Sequence, residues 1–476
     1  MSGAAVARLY HRLLAIIFLV AWASLGVQVD VLIGSHGLLP VAPFLASAHA
    51  QGIGVSQIPT VFWLDAGDGV LRLGIWIGAA LSGAALFGFR PRLCTGLATL
   101  LYLSYASASR TFLSFQWDNL LLECGALAVF LPTDRPARWI HVLFRLLLFK
   151  LYWESGIAKW QSHLGDWQDG SAMAFYYETA PLPVWPAWYA HHLPVWWHHL
   201  ESWGVLVLEL LVPFLIFGPR LLKLVACGIF TAFQLANAIT ANYGFFVYLA
   251  LALHVFMLSD RDVERIGAIV GRWVPLRRRT ADAAVERTTA IAALRRGGAA
   301  VVMAIVIGVS VVDAIAAFVP TSAEWQQLMA PLQQLYMPWR LINTYHLFGH
   351  ITRERIEPEF QIQTGGDWLP VDLWHKPGDV ARPPDFVAPH QPRVDFQLWF
   401  YGLSYEHGMP AYVGALLDRL CRDPAAVQTL FRDTLPAEPS AVRIAFWRYE
   451  FTPPGETAWW TRELLATTRP QPCRTE

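Results

Sequence analysis

Charge is what this chain has least of: Asp, Glu, Lys and Arg make up 15% of its 476 residues, and 36 basic residues balance 36 acidic ones to a formal net charge of zero. Such a chain is no ordinary soluble domain and is not expected to take a nucleic-acid partner. Catalytic signatures are equally scarce. There is no G-x-S-x-G, no H-E-x-x-H and no phosphate-cradling glycine loop, which removes the soluble-hydrolase reading. Internal repeats and low-complexity tracts are absent too. Of five cysteines, Cys94, Cys124 and Cys227 fall in apolar runs, where a thiol is most often a small buried apolar group. Cys421 and Cys473 stand apart in a polar region, where an oxidising compartment permits a disulfide whose geometry the sequence cannot supply.

What is present is apolar and aromatic: 55% hydrophobic residues and 22 Trp make this a polytopic α-helical membrane protein. About nine candidate spans can be drawn, at 13–32, 69–89, 93–109, 112–132, 139–159, 203–217, 221–240, 244–259 and 298–319. Several are shorter than the roughly 20 residues of a perpendicular span, so one or two are expected to tilt or re-enter. The first run is read as a permanent anchor, because the cleavage-like Ala48-His49-Ala50 lies too far beyond it for a signal peptide.

Basic residues then orient the chain. With the N-terminus inside, the inner loops hold Arg8, Arg12, Arg90, Arg92, Arg135, Arg138, Arg220, Lys223 and the Arg-rich loop 260–297, against Arg72, Arg110 and Lys159 outside. The segment after Val319 is thereby placed outside the cytoplasm. The chain divides into a membrane domain, 1–338, and an extracytoplasmic α+β domain, 339–476. In the latter, EFQIQTGGDWLPVDLW (359–374) reads as a hairpin turning on Gly365-Gly366, AVRIAFWRYEFT (441–452) as a third strand, and 394–403 and 412–420 as helices. The Trp-rich loop 161–202 is expected to lie on the outer membrane surface.

Two adjacent apolar runs carry buried charge, which is costly at membrane depth. Gln116, Asn119 and Glu123 share one helix face, and Lys150 and Glu154 are i, i+4 on the next. At 1.5 Å per residue Glu123 and Lys150 each lie roughly 16 Å from the start of their run, so they should pair; register fixing is the bland use of such a pair. Asp118, Asn119 and Glu154 share a layer roughly 9 Å below the outer surface. Together with Lys159 they are expected to open towards the outer loop, where a desolvated Lys159, helped by Glu154, can serve as a base if the protein is an enzyme. Arg145 is expected to snorkel inward. No metal site is expected: His191, His192, His198 and His199 lack Cys or carboxylate companions, and His346 and His350 flank Gly349. His390, Arg393 and Asp395, bracketed by Pro389 and Pro392, read as a helix start that docks on the membrane domain, or else as a catalytic cluster. Trp368, Trp374, Trp399 and Trp447 are candidate contacts for a partner, with core packing as the alternative.

QWDNLLLECG (116–125), FKLYWESGIAKWQS (149–162), YYETAPLP (176–183), NTYHLFGHITRERIE (343–357) and PHQPRVDFQLWF (389–400) resemble signature segments of the lipase maturation factor family, in order along most of the chain. Asn343, Tyr345, Gly349, Arg355, His390, Gln391 and Arg393 are the motif residues of the outer domain. The resemblance implies a multi-pass folding or assembly factor, a chaperone for secreted lipases or similar exported clients. It implies the endoplasmic reticulum membrane for eukaryotic relatives and the inner membrane for a bacterial one. SGIAKW followed by Asp166 and Trp167 is more distantly similar to the membrane core of vitamin K-dependent γ-glutamyl carboxylases, in which a Lys matching Lys159 is the base on a quinone. Two readings stay open: a chaperone without a cofactor, and an enzyme acting through Lys159 on a lipid-soluble substrate, with a quinone or bound lipid.

Overall fold

The computed structural model describes residues 3–134, 137–270 and 289–473. Of the basic loop expected at 260–297, positions 271–288 fall outside the described residues, as does Arg135.

The membrane domain is built around α1 (Ala4–Gly26). Tyr10, Leu14, Phe18 and Trp22, four residues apart, form one buried ridge. Trp22 packs edge-on to Tyr102 and Tyr105, and Tyr10 to Phe144 and Phe256. Around it stand α2 (Asp68–Leu86), α3 (Pro91–Ala108), α4 (Gln116–Val129) and α5 (Arg138–Trp160). Then come α6 (Val195–Leu210), α7 (Arg220–Thr240), α8 (Phe246–Leu253) and α9 (Thr289–Phe318). Helices crowd closest where a side chain is missing. A Cβ on Gly78 would sit 2.3 Å from Trp22, and one on Gly125 2.0 Å from Thr99, so α1–α2 and α3–α4 pack through glycine.

Five helices among the described residues are long and apolar enough to cross a membrane: Ala4–Gly26, Asp68–Leu86, Val195–Phe217, Arg220–Thr240 and Gly297–Phe318. The span expected at 112–132 is not one helix. A 3-10 turn, Arg110–Leu113, precedes the 14-residue α4, which reaches only about 21 Å. The span expected at 244–259 is likewise the eight-residue α8 followed by a 3-10 turn. Burial inside the bundle explains how such short helices are accommodated: α4 and α8 bury most of their residues against protein.

Four residues after α9 comes α10 (Ala323–Tyr336), an amphipathic helix capped by the Ser322 hydroxyl, which accepts from the Trp325 N–H. The C-terminal domain follows. Its antiparallel sheet has the order β2-β1-β3-β4, with β1 Arg355–Thr364, β2 Asp367–Val371, β3 Ala441–Phe451 and β4 Trp460–Thr467. The β1–β2 turn is the Gly365-Gly366 pair, with φ of 63° and 101°. One sheet face, with Phe360, Ile362, Val442, Ile444 and Phe446, is buried under α11 (Arg393–Leu403) and α12 (Ala411–Arg422). β4 has no counterpart in the sequence reading, because its residues TRELL are mostly exposed and show no alternation. Cys421 on α12 is disulfide-bonded to Cys473.

Candidate functional site

Between α10 and β1 the chain runs as an irregular strap, 341–351, over the ends of α4 and α5. Main-chain N–H groups without a helix or strand partner need other acceptors once water is excluded. Here they find side chains of the membrane domain. Glu123 accepts from the Asn343 N–H and its side-chain amide, both at 3.0 Å, and from the Tyr345 hydroxyl at 2.8 Å. Glu154 accepts from the Tyr345 N–H, Gln116 from the His346 N–H, Ser155 from the Leu347 N–H and Asp166 from the Ile351 N–H. Lys159 donates to the Leu347 carbonyl at 2.8 Å. Asn119 contributes only its backbone carbonyl, at 3.5 Å from the Asn343 amide. Gly349 lies so close to α5 that a Cβ would sit 3.2 Å from Ala158.

Lys150 lies 3.4 Å from Glu123 and donates to Ser310 of α9, so this buried pair ties α4, α5, α9 and the strap at one point. Of the layer expected to open outward, Asn119 lines an open cleft and the rest is closed off. Asp118, Glu154 and Lys159 are all buried, because the C-terminal domain covers that end of the bundle. Lys159 pairs with Glu209 of α6 at 2.7 Å and lies over the Trp167 ring. Glu209 was passed over in the sequence although a lone carboxylate in an apolar run is itself a signal. Arg145 is half-buried, and its Nε donates to the Phe256 carbonyl.

A second fastening comes from the other motif. Arg393, at the first turn of α11, makes a two-pronged ion pair with Asp118, at 2.6 and 2.8 Å, and donates to the Phe112 carbonyl. Tyr102 donates to the same carboxylate. The residues before it are bound as well: Gln28 accepts from the Arg393 N–H and donates to the Gln391 carbonyl. Ser24 accepts from the Gln391 N–H and lies 3.0 Å from His390 Nδ1. Arg355 forms a third, with its guanidinium on the carbonyls of Glu178, Ala180 and Pro181 and paired to Glu357, which also pairs Lys376.

Close by, Glu178 accepts from the Phe451 N–H at 2.7 Å, and burial pushes its carboxyl up to about 7. His191, 3.8 Å away, is pulled down to about 4 by burial and so stays neutral. An acid raised in the folded state keeps its full stabilising share below its ordinary value of 4.5 and loses it as pH rises through about 7. Glu178→Gln is therefore expected to flatten the fall in melting temperature between pH 5 and 8 and to raise stability at pH 8 by about 3 kcal/mol or less. Parallel melting curves for parent and variant over that range count against it.

The open sheet face carries two of the four expected tryptophans. Arg443 lies over the Trp368 ring at 4.1 Å and Arg462 over Trp447 at 4.2 Å, with Arg462 exposed and both tryptophans only partly so. Trp399 instead donates to the Thr179 carbonyl, and Trp374 lies under Arg432. Finally, a cleft of about 970 Å³ opens between α11, the strap, the start of α4 and the C-terminal ends of α9 and α10.

Models of two parts of one family match the chain: the lipase maturation factor transmembrane domain over 5–265 and the lipase maturation factor C-terminal domain over 341–470. Lipase maturation factor 2 of Homo sapiens is 28% identical over 98% of this chain and 82% of its own length. Lipase maturation factor 1 of Bos taurus is 29% identical, over 95% and 86%. No solved structure matches. With more than half of its length matched by the transmembrane-domain model, the chain is an integral membrane protein and belongs to the lipase maturation factor family.

Proposed function

We propose that the protein is a folding or assembly factor for an exported client, of which a secreted lipase is the type, and that its membrane charges are architecture. One observation carries this: the polar groups that looked catalytic hold main-chain groups of the strap or close ion pairs, so each has a structural partner. Beside Lys159 the cavity is about 60 Å³, far below the several hundred Å³ of small-molecule sites. The distribution of Lys and Arg supports a cytoplasmic N-terminus and an extracytoplasmic C-terminal domain. In line with this, Arg8, Arg92 and Arg220 gather with Thr133, Val129 and Asp262 at the end of the bundle away from the strap. Relatives named for lipases fit a client that folds outside the cytoplasm.

Client contact is assigned to the open sheet face, since Trp and Arg dominate the energetics of protein interfaces. Trp368→Ala with Trp447→Ala is expected to lower secretion of active co-expressed lipase roughly tenfold while membrane abundance of the variant is unchanged. Undiminished active lipase from cells holding normal amounts of the double variant would remove this face from the proposal.

A further inference from the structure

We infer that the cleft between α11, the strap and the C-terminal ends of α9 and α10 holds an acyl chain of a bilayer phospholipid. Its apolar lining comes from both domains: Phe115 and Trp117 are stacked, Phe396 stands edge-on to each, and Phe400 lies beside Phe115. The opposite wall includes Ala316 and Ala317 at the end of α9, whose span Gly297–Phe318 is the most apolar of the five, with only 11% of the residues in its apolar stretch buried inside the protein. A wall that is itself lipid-facing makes the cleft continuous with the bilayer. α10 reaches the cleft through Gln333 near its C-terminal end and runs on along the surface. None of its residues is buried, and Trp325, Leu328, Leu332 and Leu335 recur on one side opposite Gln326, Gln327, Gln333 and Gln334, the pattern of a helix lying in the membrane interface.

The polar groups around the cleft favour a chain over a peptide. An extended peptide needs main-chain partners, as in strand addition. Four of the strap's N–H groups, at Asn343, Tyr345, His346 and Leu347, are not available to one, because they already donate to membrane-domain side chains. The ionic groups are engaged too: Asp313 accepts from Tyr336, and Arg340 donates to the carbonyls of Leu113 and Ala106. A hydrocarbon chain needs no such partners and gains from every methylene taken out of water.

The test uses the full chain in phosphatidylcholine vesicles doped with phosphatidylcholine carrying a photoreactive diazirine on its acyl chain. Cross-linked peptides covering 111–119 and 396–400 are expected, alongside label on the lipid-facing α7. Ala317→Trp, a change at an exposed position that fills the cleft, should reduce label on those two segments at least fivefold while label on α7 is unchanged. Ala316→Trp serves the same purpose if the first variant does not reach the membrane. Label on α7 with none in the cleft overturns the inference and leaves the cleft to a protein partner. Cleft label that neither Trp variant diminishes overturns it as well.

Discussion

Arg393→Ala is expected to undock the C-terminal domain and to cost the folded protein about 3–5 kcal/mol, the range for breaking one side of a fully buried ion pair. The magnitude follows from what remains. Asp118 and Arg393 are both almost wholly buried, and without the guanidinium Asp118 keeps a charge in the bundle with the Tyr102 hydroxyl bonded to it and Arg340 as the nearby cation that remains. The Phe112 carbonyl also loses a donor. Limited proteolysis of detergent-solubilised protein should then cut within or beside the strap 341–351, and the melting temperature should fall. Arg393→Met combined with Asp118→Leu removes both charges and should recover most of that loss, because no ion is left unpaired. A single variant that melts within about 1 kcal/mol of the parent would show that docking does not depend on this pair.

Lys159 is expected to behave in the same way, and it separates the two functional readings. Lys159→Ala leaves Glu209 buried without its cation and the Leu347 carbonyl without its donor, again about 3–5 kcal/mol. Loss of client maturation in this variant is therefore expected from misfolding alone. The informative protein is Lys159→Met with Glu209→Gln, which has neither charge and should fold close to the parent level. As a scaffold, it matures its client in proportion to the folded protein present. Were it folded at parental levels yet inactive, the ammonium would be doing chemistry, and the enzyme reading would replace the one proposed.

The buried charges are recognisable in the sequence as costly, and the partners that offset that cost are not. Glu123 and Lys150 met because depth along two adjacent helices follows from rise per residue alone. The same arithmetic placed Asp118 beside Glu154 and Lys159, but it assumed that the outer end of the bundle faced water. Arg393 lies 275 residues after Asp118, and Tyr345 191 residues after Glu154; no local pattern connects them. The strap is harder still, since main-chain donors are the same at every non-proline position and leave no compositional trace.

Local chemistry determined the elements with a periodic or turn-specific signal. The membrane class followed from apolar content, the Gly365-Gly366 hairpin from the positive φ that glycine accepts, and α11 from its proline-bracketed start. Span lengths were less determinate, because an apolar run does not say whether lipid or protein will cover it, and α4 is short where protein does. Tertiary structure alone decided what the buried charges face. An ion's stability depends on the partner brought within a few ångströms, and for Asp118, Glu123 and Glu154 those partners include groups of a domain whose placement the membrane helices cannot encode by themselves.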